Sequence, residues 1–346
     1  MHWLAYHRKH YPLQTPQDIV KIVFQSMLGC GHLLADETTV TARIETEEAT
    51  LIPDAMEPLT EPMGDYVRLN LRRAMAEGLQ PVWIARLMAL SCCVGKQHTR
   101  QDVHVTLLSL TEAQTGFAPD IMASAAAHVL DEGWLPGHSA SYHAHYAPAY
   151  RVLHASLLPV VKVLCAFVRL PKKDRMLIAI DGCCASGKST MAAQLAEVLA
   201  APVVTLDDFF TPHAEKTPER LAQPGGNADI ARFRKEFLDP YVNTGHAVYR
   251  PYDCHEDAFS APVEVKDASV VIVEGSYSLH PDTGRPYDLQ VYLRVAESTQ
   301  HERILRRNGE AMLQRFISTW IPLEERYFTA FSLPDERCIL PLQSQE

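Results

Sequence analysis

Residues 177–190 read LIAIDGCCASGKST, and within them Gly182, Gly187, Lys188 and Ser189 complete the spacing G-x-x-x-x-G-K-S, a Walker A pattern. A turn of this kind (Gly182, Cys183, Cys184, Ala185, Ser186, Gly187) exposes consecutive backbone N–H groups to a polyphosphate. The helix opening near Gly187 adds the positive end of its dipole. Lys188 then reaches the β- and γ-phosphates of ATP, and the Ser189 hydroxyl is a ligand for Mg²⁺, so the stretch from Gly182 to Thr190 is the candidate cradle. Two further acidic positions belong with it. Asp207 and Asp208 close an apolar run, and adjacent strand residues point to opposite faces, so only one of the pair can serve as acceptor for a hydroxyl proton. Glu274 ends the run Val270-Val-Ile-Val and suits Mg²⁺ or its water shell. Arg303 and Arg307 share one face at helical spacing with Arg306 beside them, a set able to close over a transferring phosphoryl group.

These residues need elements to hold them. After residue 171 short β-like runs at 176–180, 202–206, 269–273, 289–295 and 338–340 alternate with helical stretches at 187–200, 229–239, 297–307 and 311–330. Alternation of this kind predicts an α/β fold, a P-loop NTPase with a parallel sheet flanked by helices and ligands at the carboxyl ends of its strands. Before residue 171 the apolar spacing is helical. Ile19, Val20, Val23, Met27 and Leu28 form a stripe within 17–34, and 81–94, 103–111, 119–130 and 152–168 read the same way. Asp120 is the expected cap of one helix and Gly133 its stop. No strand ladder is evident there. Pro171 within the charged segment 168–175 marks the division, giving a mainly α-helical domain at 1–170 and a nucleotide-binding domain at 171–346.

The pieces in the second half resemble the uridine kinase and phosphoribulokinase group of P-loop kinases. The stretch Ala185-Ser-Gly-Lys-Ser-Thr190 matches the uridine kinase phosphate loop, and Asp207-Asp-Phe-Phe210 is similar to that family's D-x-F-[YF] motif. The resemblance implies Asp207 as base, Asn227 and Asp229 (N-x-D) at the ribose hydroxyls, and Tyr252 and Asp253 after Arg250 at the nucleoside base. It also implies Arg303, Arg306 and Arg307 as the lid helix. Asp208 joins the acceptor side. The departures are Cys183-Cys184 in place of small residues, Ser298-Thr-Gln-His301 in place of an acidic pair, Asn308-Gly309 after the arginines, and a long loop at 217–226. They spare the ATP half and touch the acceptor half. The expected activity is ATP- and Mg²⁺-dependent phosphorylation of a small-molecule hydroxyl, with a nucleoside as lead acceptor. The alternatives are pantothenate, a glycerate-like acid, a sugar phosphate or a nicotinamide riboside, for which Arg220, Arg232 and Arg250 are the candidate cations. A further alternative is a nucleotide-dependent ATPase or switch with the helical half as sensor.

Composition sets the outer limits. The chain has 346 residues, enough for two domains at roughly 150 each, and 47% apolar content excludes disorder. A net charge of −10 argues against nucleic acid or an anionic membrane as partner. The eight cysteines include no C-x-x-C pair, which fits neither zinc ligation nor a disulfide framework, and the first residues carry no secretory pattern; a reducing cytoplasm is the expected compartment. Cys183 and Cys184 read as small packing residues, with a lowered thiol pKa at the helix start as the redox alternative. Most of the 16 histidines fall in the first half. That half resembles a helical domain found ahead of some uridine-kinase-like proteins. Its two polar constellations are Gln25-Ser-Met-Leu-Gly-Cys-Gly-His32 and the segment His138, Tyr142, His143, His145, Tyr146, Tyr150, Arg151. The second reads as a hydrogen-bonded network, with a metal site at His138, His143 and His145 or a ligand pocket using Arg151 and His32 as alternatives.

Overall fold

The structure, a computed structural model, describes residues 2–31, 36–95 and 98–339. The chain divides into two compact units, Met1–Leu158 and Pro159–Glu346.

The first unit is mostly helical. Helix α1 (Pro16–Leu28) starts with proline in its first turn behind a Thr15–Asp18 capping box. Its buried side chains are Ile19, Val20, Ile22, Val23 and Phe24, whereas Met27 and Leu28 of the expected stripe are only half-buried. Helix α2 (Pro81–Cys92) follows the expected 81–94 closely. The expected helix at 119–130 stops at Ala125, with Ala118 rather than Asp120 as cap, because Asp120 already lies in the first turn. Gly133 sits in a later turn with positive φ.

This mainly helical half also holds a three-stranded antiparallel sheet, which corrects the expectation that it has no strand ladder. Strands β1 (Thr60–Met63), β2 (Tyr66–Asn70) and β3 (Tyr150–His154) pair in the order β1-β2-β3. Four of the five β2 residues are buried, Arg68 among them, so the strand lacks the alternation that would reveal it. Strand β3 finds its partner across a long stretch of intervening chain, and the helix expected from 152 begins only with α3 (Leu158–Val168).

The second unit is a doubly wound sheet. Strands β4 (Met176–Gly182), β5 (Val203–Thr205), β6 (Val270–Glu274), β7 (Leu289–Leu293) and β8 (Cys338–Ile339) run parallel in the order β8-β7-β4-β6-β5. All seven residues of β4 are buried, as a strand covered on both faces requires. Leu340 of the expected fifth run lies outside the described residues. The chain leaves β4 toward one edge and later returns to build the other, so the carboxyl end of β4 is the switch point at which such sheets bind ligands. The phosphate-loop sequence occupies that point, and with the strand order this gives the unit a P-loop NTPase fold. Helix α4 (Lys188–Leu199) follows the loop, and α5 (Glu297–Asn308) follows β7.

Two expected helices are interrupted. The 229–239 run continues through a wide five-residue turn (Arg234–Leu238) into Asp239–Thr244, and the 311–330 run passes through Phe316–Trp320 into α6 (Ile321–Ala330). One residue separates each wide turn from a proline, Pro240 or Pro322. A proline ring offers no N–H and needs room at the preceding carbonyls, which the widened turn supplies. Two small antiparallel pairs, His246–Tyr249 with Val263–Lys266 and Tyr252–Asp253 with Ala258–Phe259, complete the unit beside Asp207.

Candidate active site

The loop between β4 and α4 is held in one shape by its backbone and its neighbours. Gly182 has φ +139°, and a Cβ there would stand 2.0 Å from the carbonyl oxygen of Leu293, so no side chain fits. Ala185 and Gly187 also have positive φ (58° and 98°). Such alternation turns successive N–H groups into one hollow, the geometry that receives phosphate. Lys188 is buried, and its Nζ donates to the carbonyls of Gly182 (2.9 Å) and Cys183 (3.0 Å), folding back across the loop. Thr190 faces solvent at the start of α4. The Ser186 hydroxyl is buried and has no partner.

Three elements grip the loop from outside, and sequence reasoning missed all the side chains involved except Arg303. On β4, buried Asp181 accepts from the N–H groups of Gly182 (2.6 Å), Leu279 (2.9 Å) and Tyr277 (3.2 Å) and from the Tyr327 hydroxyl (2.7 Å). On α6, Glu324 accepts from the Cys184 N–H at 2.8 Å and from the Ser276 hydroxyl at 2.6 Å. On α5, Gln300 donates to the Cys184 carbonyl (2.9 Å) and Arg303 to the Ala185 carbonyl (3.0 Å). The aspartate in LIAIDG was visible as a carboxylate on a buried strand. Glu324 carried no local signal, because its partner is 140 positions away.

Ser189 and Glu274 meet as their spacing suggested. The Ser189 hydroxyl lies 3.2 and 3.3 Å from the two Glu274 carboxylate oxygens. Burial pushes the Glu274 carboxyl up, neighbouring Asp207 pushes it further, and hydrogen bonds from Thr205 and Ser189 oppose the rise. A hydroxyl and a carboxylate leave most of a coordination shell to phosphate oxygens and water, the donor set that suits Mg²⁺. Among the described residues no group of three His, Cys, Asp or Glu side chains is arranged to hold a metal by itself.

Asp207 and Asp208 lie in a short helical turn (Leu206–Phe209) directly after β5 and diverge. The Asp207 side chain reaches solvent, yet surrounding atoms strip much of its hydration and raise its pKa. The Lys188 and Arg307 charges oppose that rise, and Glu324 adds to it. Asp208 instead hydrogen-bonds Tyr249, and its carbonyl accepts from Arg232 at 2.6 Å. Arg307 is exposed on α5 and donates to Asn308, and Arg306 is exposed beside it.

The structure therefore brings together the loop, Glu274, Asp207, Arg303 and Arg307. The other nominated acceptor residues are engaged in local structure. Asp229 caps Ile230–Phe233 by accepting from the Arg232 N–H at 3.0 Å, and Asn227 contributes a main-chain carbonyl to Thr211. Arg250 donates to the carbonyls of Ser260 and Phe259, both at 3.0 Å. Tyr252 donates to Asp257, and Asp253 accepts from the N–H groups of His255 and Glu256. The thiols of the loop behave as the expected packing residues and opposite to the redox alternative. Burial, reinforced by Glu324, drives the Cys184 thiol pKa up, and burial raises Cys183 as well.

In the first unit His138 and its neighbours form a buried network, whereas His143 and His145 are exposed. His138 Nδ1 donates to Asp18 Oδ1 at 2.9 Å, and its Nε2 lies 2.8 Å from the Tyr150 hydroxyl. Ser139 donates twice more to Asp18, through N–H (2.9 Å) and hydroxyl (2.8 Å). Burial holds His138 down, to about 4, against the upward pull of its Asp18 bond. Arg151 is paired with Glu47 at 2.7 Å, and His145 bonds the Ser141 carbonyl. His32 lies outside the described residues.

No family model matches the sequence, and no curated protein does. Among solved structures, a possible uridine kinase from Bacillus stearothermophilus is similar over 52% of this chain and 97% of its own, with TM-score 0.41 and 19% identity. A D-glycerate 3-kinase from Cryptococcus neoformans is similar over 53% of this chain and 91% of its own, with TM-score 0.37 and 14% identity. A deoxyadenosine kinase from M. mycoides is similar over 49% and 93%, with TM-score 0.23 and 16% identity.

Proposed function

We propose that the second unit transfers the γ-phosphoryl group of ATP to a hydroxyl of a small metabolite, with a nucleoside as the lead acceptor. One observation carries the reading. Asp207, at the carboxyl end of β5, is the loop-side carboxylate of its pair: the Lys188 and Arg307 charges act on it, while Asp208 turns away to Tyr249. A hydroxyl between Asp207 and the loop has a base for its proton and a phosphate within reach. A water-activating switch has no need of that carboxylate.

Each chain residue then has a task. The loop N–H groups hold the phosphates, and Lys188 exchanges its two carbonyl partners for phosphate oxygens. Ser189 and Glu274 hold Mg²⁺, which when bound neutralises phosphate charge. Asp207 Oδ accepts the hydroxyl proton as the new O–P bond forms. Arg303, already on the Ala185 carbonyl, and Arg307 offset the charge that spreads over the transferring group; stabilisation of this kind supplies most of phosphoryl-transfer catalysis. Asp229 and Tyr252 are the proposed acceptor contacts.

A neutral polyol fits the acceptor side better than an acid. Of the three arginines available to an anionic acceptor, Arg232 and Arg250 are spent on main-chain carbonyls, and Arg220 is paired with Glu215 at 3.2 Å. The test is acceptor-dependent ADP release over a panel of nucleosides, sugar phosphates and hydroxy acids, with the product identified by mass. A phosphorylated nucleoside supports the reading in full. A phosphorylated acid keeps the chemistry and replaces the acceptor. ADP release that no acceptor accelerates points instead to an ATPase or switch.

A further inference from the structure

The first unit holds a second chemical feature, unrelated to phosphate. Cys30 follows Gly29 at the end of α1, and Cys92 closes α2. Although 62 positions apart, their Sγ atoms lie 3.6 Å from each other. Both sulfurs also lie 3.5 Å from one oxygen, the Met88 carbonyl, which can accept from either thiol. A disulfide bond is about 2.05 Å long, so the sulfurs need approach by only about 1.5 Å.

The surroundings fix both partners. Gly29 has φ +62°, and the Tyr66 ring fills the space where a Cβ would stand (2.5 Å), so the backbone entering Cys30 is clamped against β2. On α2, Ser91 donates to the Leu87 carbonyl and accepts from the His154 N–H of β3. The two sulfurs differ in access. Cys92 is exposed and Cys30 is buried, at 1%. The hydrogen bond between them lowers the Cys92 pKa and, with burial, raises that of Cys30, so the exposed sulfur is the one that ionises first. Neighbouring Cys93 is exposed too, but its thiol turns back to the Ala89 carbonyl of its own helix.

We propose that Cys30 and Cys92 are a redox-active dithiol that closes to an intramolecular disulfide on reaction with a low-molecular-weight disulfide. The Cys92 thiolate attacks one sulfur of the reagent, forming a mixed disulfide and expelling the other half as a thiolate. Cys30 loses its proton and attacks the Cys92 sulfur, expelling the second half. Two protein thiols are oxidised by two electrons, and one reagent disulfide is reduced to two thiols. The bridge ties the end of α1 to the end of α2.

Full-length protein is incubated with oxidised glutathione, free thiols are alkylated, and the digest is mapped without reduction. The expected product is a cross-linked peptide pair containing Cys30 and Cys92, lost on treatment with dithiothreitol. It forms undiminished in Cys93→Ser and is absent from Cys92→Ser. The proposal is overturned if glutathione stays on Cys92 with Cys30 recovered as the free thiol, if Cys92 pairs with Cys93, or if both thiols remain unmodified. The decisive readout is on the wild-type chain, so it survives a variant that folds poorly. It is also independent of any phosphotransfer by the other unit.

Discussion

At the scale of single residues, Asp207 sits in a tension that can be measured. Its pKa is raised above the usual 3.8 because surrounding atoms withhold hydration, with Lys188 and Arg307 pulling the other way. A base must be ionised, so kcat/KM should fall on acidification through a pKa above 3.8, and Asp207→Asn should lose both that acid limb and about 10²–10⁴ in kcat while ATP affinity holds. An acid limb that persists unchanged in the variant would transfer the role elsewhere. The same tension has a stability sign. A carboxyl whose folded pKa is raised stabilises the fold below its unfolded value, and that contribution is lost as pH rises through the folded value. At neutral pH the ionised Asp207 is therefore a burden, and Asp207→Asn should raise the melting temperature while turnover collapses. Lys188→Ala should lower kcat by about 10²–10³ or more, the scale of removing one preorganised charge contact, with the pH profile as a second readout. The motif residues Gly182, Lys188, Ser189 and Glu274 were legible because each takes its place from spacing along one strand or one turn. Spacing alone did not separate Asp207 from Asp208, since both follow the same short strand; only the family resemblance pointed to Asp207. Tyr249 and Arg232, which draw Asp208 away, come from other elements.

At the scale of elements, α6 was readable as helix from its spacing, but its grip on the phosphate loop was not. It meets the phosphate loop through Glu324 and the loop's strand through Tyr327, whose hydroxyl is one of four donors to buried Asp181. Tyr327→Phe keeps the ring against Tyr277 and Phe328 and removes only the donor. It should cost the unit about 1–3 kcal/mol, read as a lower denaturant midpoint with unchanged slope. An unchanged midpoint would mean that the three backbone N–H groups suffice for Asp181. The parallel strands of the sheet were readable as apolar runs, three of them leading to an acid (Asp181, Asp207, Glu274). The meander of the first unit was not, because β2 buries Arg68 in mid-strand and its partner β3 merges by pattern into the helix that follows. The widened turns before Pro240 and Pro322 were likewise hidden. Pro322 falls inside a stretch whose apolar spacing stays helical, and Pro240 directly follows one.

At the scale of the whole molecule, the two units differ in what disturbs them. ATP at a hundredfold excess over its Kd should stabilise the second by about 2.7 kcal/mol and leave the first unmoved, so scanning calorimetry should resolve two transitions of which one shifts. The first unit has its own sensitivity. His138 is held down to about 4 by burial, so as pH falls from 6.5 the unfolded chain takes a proton that the folded unit refuses, and stability drops. Hydrogen bonds hold Asp18 below its usual range despite burial, which extends the loss below 3.8. The non-ATP transition should therefore fall steeply between pH 6.5 and 4, and His138→Gln should flatten that slope. The clasp of α6 on the phosphate loop has a consequence for synthesis. A ribosome completes the glycine-rich motif long before it delivers Glu324 and Tyr327, so a nascent chain arrested ahead of residue 321 carries the full signature yet lacks the partners that shape it. Affinity for nucleotide should emerge late and abruptly during translation, as the last staple leaves the exit tunnel.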